Sequence, residues 1–143
     1  MVVNFDEIVD RVKGLELPMG EYALFGSVPL AAHRIRESRD VDLLVTIELY
    51  QELRLRGWKE KKTRIGREVI VSGCFEAGYS WTYGKYKSDA KKLIENAEIV
   101  NGVPVVALEE VIKWKRALRR EKDLKDIILI ERYYLRRDIR DRH

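Results

Sequence analysis

Residues Asp40 to Thr46 constrain this chain more than any other stretch. Val41, Leu43 and Val45 fall on one side of an extended segment, and Asp40, Asp42 and Leu44 fall on the other. The alternation predicts a strand over 40–46 with two carboxylates side by side on one face. Carboxylates at i and i+2 repel each other unless a cation lies between them, and a divalent metal is the natural occupant. The apolar face needs a core, and a chain of 143 residues has the length for one. Folding at that length buries roughly two-thirds of the surface that the unfolded chain exposes. No repeat, low-complexity tract or Pro/Gly/Ser-rich linker divides the sequence, so one domain over residues 1–143 is expected.

Around that strand the patterning alternates between helix and strand. Asn4 or Asp6 can cap a first helix with Phe5, Ile8, Val9 and Val12 on its apolar face, ended by Gly14. Tyr22 to Phe25 reads as a short buried strand that stops at Gly26-Ser27, and Pro29 suits the first turn of a following helix. After the Asp40 strand comes a polar amphipathic helix from about Ile47 to Arg56, stopped by Gly57. Trp58 to Thr63 and Arg67 to Gly73 form two strands about a turn at Ile65-Gly66. Residues 74–87 carry Gly and aromatic residues without a clear period. Ser88 or Asp89 caps a helix to about Asn96, and Asn101-Gly102 marks a hairpin within Glu98 to Ala107. Leu108 to Arg119 and Lys122 to about Arg136 are the last helices, with Val111, Ile112 and Lys115 on one face of the first. Leu124, Ile127, Ile128 and Glu131 are spaced for packing on the second. The expected class is α/β (α+β), a small mixed sheet flanked by helices.

Charge is distributed unevenly. Residues 1–50 hold 5 Lys or Arg against 9 Asp or Glu, whereas the remainder holds 23 against 15, so an acidic part suited to cations faces a basic part suited to phosphates. Two unlike solvated faces would give the same numbers. The charged fraction of 36% exceeds the roughly 25% usual for soluble domains. Heat-adapted proteins have this composition, and so do soluble mesophilic surfaces. The single Cys74 cannot form an intramolecular disulfide, no secretion signal is visible, and no apolar run reaches the ~20 residues of a membrane span. A cytoplasmic, reducing location without membrane partners is expected.

Function becomes legible between Gly26 and Val45. A Gly-Ser pair between a strand and a helix lets backbone amides and a hydroxyl approach an anion, with the helix N-terminus adding partial positive charge. Mg²⁺ prefers carboxylate and phosphate oxygens, and a metal pair about 4 Å apart stabilises both oxygens of an in-line phosphoryl displacement. A phosphate cradle followed by paired aspartates therefore suits a nucleoside triphosphate (NTP).

Gly26-Ser27, then Arg36, Ser38, Asp40, Val41 and Asp42, resemble the polymerase-beta-like nucleotidyltransferase superfamily. The likeness is to its small bacterial and archaeal members, including relatives of toxin–antitoxin nucleotidyltransferases. The segments Val105 to Lys115 and Glu121 to Ile127 look like the helical part that closes the domain in that family. The resemblance implies a nucleotidyltransferase fold in which Gly26 and Ser27 hold the triphosphate and Asp40 and Asp42 ligate two Mg²⁺ ions. It further implies transfer of a nucleoside monophosphate from NTP to a hydroxyl on a small molecule, an RNA end or a protein. A third carboxylate on a later strand completes the family site; Glu68 is the first choice, Glu76 the second. If neither reaches the aspartates, the chain binds without turnover, as a regulatory partner in a toxin–antitoxin pair or in a homo-oligomer.

Other polar residues carry two readings each. Lys122 and Asp123 match the family's Lys-Asp pair, for phosphate binding or for a charged first helical turn. Arg34, Arg36 and Arg39 can neutralise pyrophosphate, with Arg39 next to the metal strand, or can pair with Glu37. His33 reads as a helix-surface residue and Cys74 as core. Tyr79, Trp81, Tyr83 and Tyr86, near Lys85 and Lys87, could stack a base or pack the core. The Arg132 to Arg142 run could contact RNA or end a solvated helix.

Overall fold

Capping side chains mark the start of the helices at Phe5, Ile47 and Ala90 in the computed structural model, which describes residues 4–141. In chain order the elements are α1 (Phe5–Gly14), β1 (Tyr22–Phe25), α2 (Val28–Ala32), β2 (Val41–Val45), α3 (Ile47–Leu55), β3 (Lys59–Lys62), β4 (Glu68–Ser72), β5 (Phe75–Gly78), α4 (Ala90–Glu95), β6 (Glu98–Val100), β7 (Val103–Val105), α5 (Leu108–Leu118) and α6 (Glu121–Asp141). Asn4 Oδ1 accepts from the Glu7 amide at 2.9 Å, Thr46 Oγ1 from Leu49 at 3.2 Å and Asp89 Oδ1 from Lys92 at 3.2 Å. Each supplies an acceptor that a first helical turn otherwise lacks. Asn101 and Gly102 both take positive φ, 51° and 84°, as a tight hairpin between β6 and β7 requires.

The strands form one mixed sheet in the order β3-β4-β5-β2-β1-β7-β6. The chain is thus of the mixed α+β class that the alternation predicts. β2 pairs antiparallel with β1 and parallel with β5, which makes it central. Its side chains divide between two cores. Val41, Leu43 and Val45 join Ile8 and Val12 of α1 and Leu49 and Leu53 of α3. Leu44 joins Phe25, Trp81, Leu93 of α4, Val111 and Trp114 of α5 and Ile130 of α6. Phe25 stacks on Trp81 with centroids 5.1 Å apart and meets Trp114 edge-on at 5.1 Å, so aromatic packing locks the second face.

Three expectations change. β2 begins at Val41, and Asp40 sits at an exposed bend before it. β5 lies in the stretch that periodicity left unassigned, yet it is a direct neighbour of β2. On α6 the buried stripe is Asp123, Asp126, Ile127 and Ile130, whereas Leu124 and Ile128 are 47% and 50% exposed. Two carboxylates displace the leucine and isoleucine from the core-facing stripe because α5 offers a buried cation there.

Candidate functional site

β1 ends at the Gly26-Ser27 corner and β2 runs back beside it, placing Phe25 opposite Asp42. Gly26 has φ 63°, and a Cβ there would lie 2.8 Å from Asp42 Cγ and closer still to Oδ2. Only glycine fits a left-handed corner pressed against that carboxylate. On the other side of β2, the parallel register sets Asp42 beside Glu76 of β5. Partners in register on adjacent strands share a face, so these two acids lie about one strand spacing apart, ~4.8 Å. Burial first, then Glu76, raise the Asp42 carboxyl from 3.8 to about 7; Asp40 adds to the rise, while Arg67 and Lys115 oppose it.

These residues lie in a cleft of about 950 Å³. Asp40, Asp42, Glu76 and Glu121 are its acidic lining; Lys61, Lys62, Arg64, Arg67, Lys115, Arg120, Lys122 and Lys125 are its basic lining. The bases come from the edge hairpin β3–β4 and from α5 and α6, so cations ring a carboxylate floor. Gly26 and Ser27 line it too, as do Trp81 and Trp114.

A chain of ion pairs supports the corner from below. Arg36 donates to Ser27 Oγ at 2.8 Å and, through a fork, to both oxygens of Asp126 at 2.7 and 2.8 Å. Lys115, only 2% exposed, reaches Asp126 at 2.9 Å and Asp123 at 3.6 Å. Asp123, fully buried, also accepts from Arg120 Nε at 2.6 Å. Burial alone would raise the Asp126 carboxyl, but the Arg36 hydrogen bonds and Lys115 hold it below the usual range. A buried carboxylate persists only with such partners. Ser27 Oγ accepts from Arg36, and among the described residues its own proton has no acceptor. Helix α2 has five residues and Ser27 makes no capping bond to it, so its dipole adds little to the cradle.

The remaining expected residues distribute as follows. Asp40 and Lys122 line the cleft. Arg39 is exposed and outside the lining; Arg36 is the arginine that reaches the corner. Glu68, the first choice for the third acid, stands on the opposite face of the sheet from Asp42, whereas Glu76, the second choice, shares the Asp42 face. β4 alternates sides, and Glu68 shares its face with Ile70, which packs in the α1/α3 core on the far side of the sheet. Glu68 instead lines a separate hollow of about 440 Å³ with Tyr50 and Tyr79. His33 is structural, with Nδ1 3.3 Å from the Tyr133 hydroxyl and Nε2 3.6 Å from Glu98. Half-buried Cys74 packs against the first core. Trp81 and Tyr86 are buried in the second core, whereas Tyr79 and Tyr83 are exposed. Arg136, Arg137 and Arg140 are exposed at the end of α6, and Arg142 lies outside the described residues.

Arg67 and Lys115 escaped the sequence reading as site residues. Lys115 carried a signal, being a cation on an otherwise apolar helix face; Arg67 carried one in sharing the alternation of Val69 and Val71, which places it on the Asp42 side.

Among the described residues, no three His, Cys, Asp or Glu side chains cluster closely enough to hold a metal by themselves. The donor set nevertheless fits Mg²⁺ shared with a substrate, since that ion is commonly held by one or two carboxylates plus phosphate oxygens. Asp42 and Glu76 would supply the two carboxylates. Among the described residues, no helix is long and apolar enough to cross a membrane. No family model matches the chain, and no curated protein or solved structure matches it.

Proposed function

We propose that the cleft binds a nucleoside triphosphate with Mg²⁺ and transfers its nucleoside monophosphate to a hydroxyl acceptor, releasing pyrophosphate. The observation that carries this reading is the packing of the Gly26-Ser27 corner directly against Asp42, whose register partner is Glu76. In this reading the free Ser27 proton and the amides of the corner bind phosphate oxygens, while Arg36 holds the hydroxyl in place from below. Asp42 and Glu76 hold the metal jointly with the triphosphate, and Asp40 at the cleft edge is available to a second ion. Bound there, Mg²⁺ supplies charge neutralisation at the reacting phosphate and lowers the pKa of the attacking hydroxyl. Lys122, Lys125 and Arg120 face the outgoing pyrophosphate. The basic residues Lys61, Lys62 and Arg64 on the opposite rim favour a polyanionic acceptor, an RNA end, over a neutral small molecule or a protein hydroxyl.

The test is transfer of label from an α-phosphate-labelled NTP to RNA in Mg²⁺. Wild type and Glu68→Gln should incorporate label and Asp42→Asn should not; equal incorporation by Asp42→Asn would remove the proposal. A second reading, binding without turnover as a regulatory partner in a toxin–antitoxin pair or homo-oligomer, is favoured by the lack of a three-carboxylate cluster among the described residues. It predicts triphosphate binding with no incorporation at any RNA end.

A further inference from the structure

Arg67 is the least explained charge in the cleft. It stands just before β4 on the face shared with Asp42 and Glu76, and its side chain is 13% exposed. Its Nη2 lies 3.4 Å from Glu76 Oε2, at the long end for an ion pair, and its Nε is a buried donor with no acceptor among the described residues. The guanidinium carbon sits over the Trp81 ring, 3.7 Å from its centroid. It is therefore held by net charge and a cation–π contact, with only one long hydrogen bond. The backbone at Arg67 is pinned, since its carbonyl accepts from the Thr63 amide at 2.9 Å and its amide donates to Thr63 Oγ1 at 3.1 Å. Only the side chain is free to leave.

Two acids on neighbouring strands need a cation once both ionise; Arg67 interacts with both of them, and Lys115 adds to it at Asp42. Burial opposes that role, lowering the Arg67 pKa from its usual value, while Asp42 and then Glu76 act against that lowering. We propose that Arg67 is the resident counter-ion of the Asp42–Glu76 pair and that a divalent cation enters by displacing it, so that Arg67 sets the metal affinity of the cleft. A monovalent guanidinium with one long hydrogen bond is replaced by a divalent ion with direct carboxylate ligands. The swing stays within a cleft that holds phosphates in the reading above, so the displaced guanidinium remains available to an anion. Metal entry is thereby coupled to triphosphate entry, because each gives the other's displaced or added charge a partner.

This inference rests on the metal-dependent triphosphate reading, and its test separates the two. Mn²⁺ alone is titrated into the full chain and free Mn²⁺ is followed by electron paramagnetic resonance. Without nucleotide, Arg67→Gln should bind Mn²⁺ about tenfold more tightly than wild type, the effect of removing one adjacent like charge, and Arg67→Lys should stay near wild type. In wild type, the Arg67 Nε–H resonance should shift on saturation with Mg²⁺ and stay fixed in Asp42→Asn; this arm does not depend on any Arg67 variant folding. Mn²⁺ affinity unchanged or weakened in Arg67→Gln, or an Nε–H resonance indifferent to Mg²⁺ that binds, overturns the role of Arg67 alone. Absence of Mn²⁺ binding in every form, with or without a triphosphate, overturns the metal-site reading itself.

Discussion

Replacing Asp42 by Asn isolates what the site costs the fold. In the metal-free chain, burial and then Glu76 raise the Asp42 carboxyl from 3.8 to about 7. Between those values the folded chain keeps a proton that the unfolded chain has released, so stability falls as pH rises through that window and is flat above it. At about 1.4 kcal/mol per pH unit, the part incurred between pH 5 and pH 8 is roughly 2 to 3 kcal/mol. That is a large share of a net stability of typically about 5–15 kcal/mol. Asparagine has no proton to lose and skips this decline. The stability of Asp42→Asn relative to wild type should therefore grow by roughly 2 to 3 kcal/mol from pH 5 to pH 8. Urea unfolding in chelator, followed by tryptophan fluorescence at several pH values, measures it directly. Parallel pH profiles for the two proteins would show that Asp42 ionises without penalty and that the packing described around it carries no electrostatic strain.

Other substitutions separate support from chemistry. Gly26→Ala should lower stability by about 1–3 kcal/mol in thermal melts and abolish triphosphate binding, since a Cβ at φ 63° runs into Asp42. Lys115→Met should destabilise by about 3–5 kcal/mol in denaturant titrations, because Asp123 and Asp126 then share too few cations in a buried setting. Glu76→Gln should cut nucleotide transfer by about 100-fold or more while Glu68→Gln stays within about twofold, as expected when only one of them touches the reacting centre.

Sequence patterning reveals much of this architecture, and what it misses is specific. The caps at Asn4 and Asp89, the Asn101-Gly102 turn and the two-sided β2 all follow from local rules, since each depends on residues within a few positions. β5 does not, because Phe-Glu-Ala-Gly has neither length nor β-branched content; its pairing with β2 and β4 makes it a strand. Without β5, Glu76 has no assigned face and ranks behind Glu68. Glu68 stood out instead because it opens an obvious strand, although the alternation of that same strand turns it away from Asp42. The stripe on α6 misleads for a different reason: Asp123 and Asp126 are buried because Lys115 and Arg36 meet them from other elements, with Arg120 joining from the turn just before α6. Interactions across 90 residues, such as Arg36 with Asp126, leave no local periodic trace. Arg67 falls in the same class, defined by Trp81 and Glu76, not by its own neighbours in sequence.

Calorimetric titration of a non-hydrolysable nucleoside triphosphate, with and without Mg²⁺, into wild type, Asp42→Asn and Gly26→Ala tests the pairing of corner and carboxylate most directly. Saturable, Mg²⁺-dependent heat in wild type that disappears in both variants, with each still folded, is the predicted result. Equal binding in all three proteins, or no heat in wild type at millimolar ligand, would contradict it.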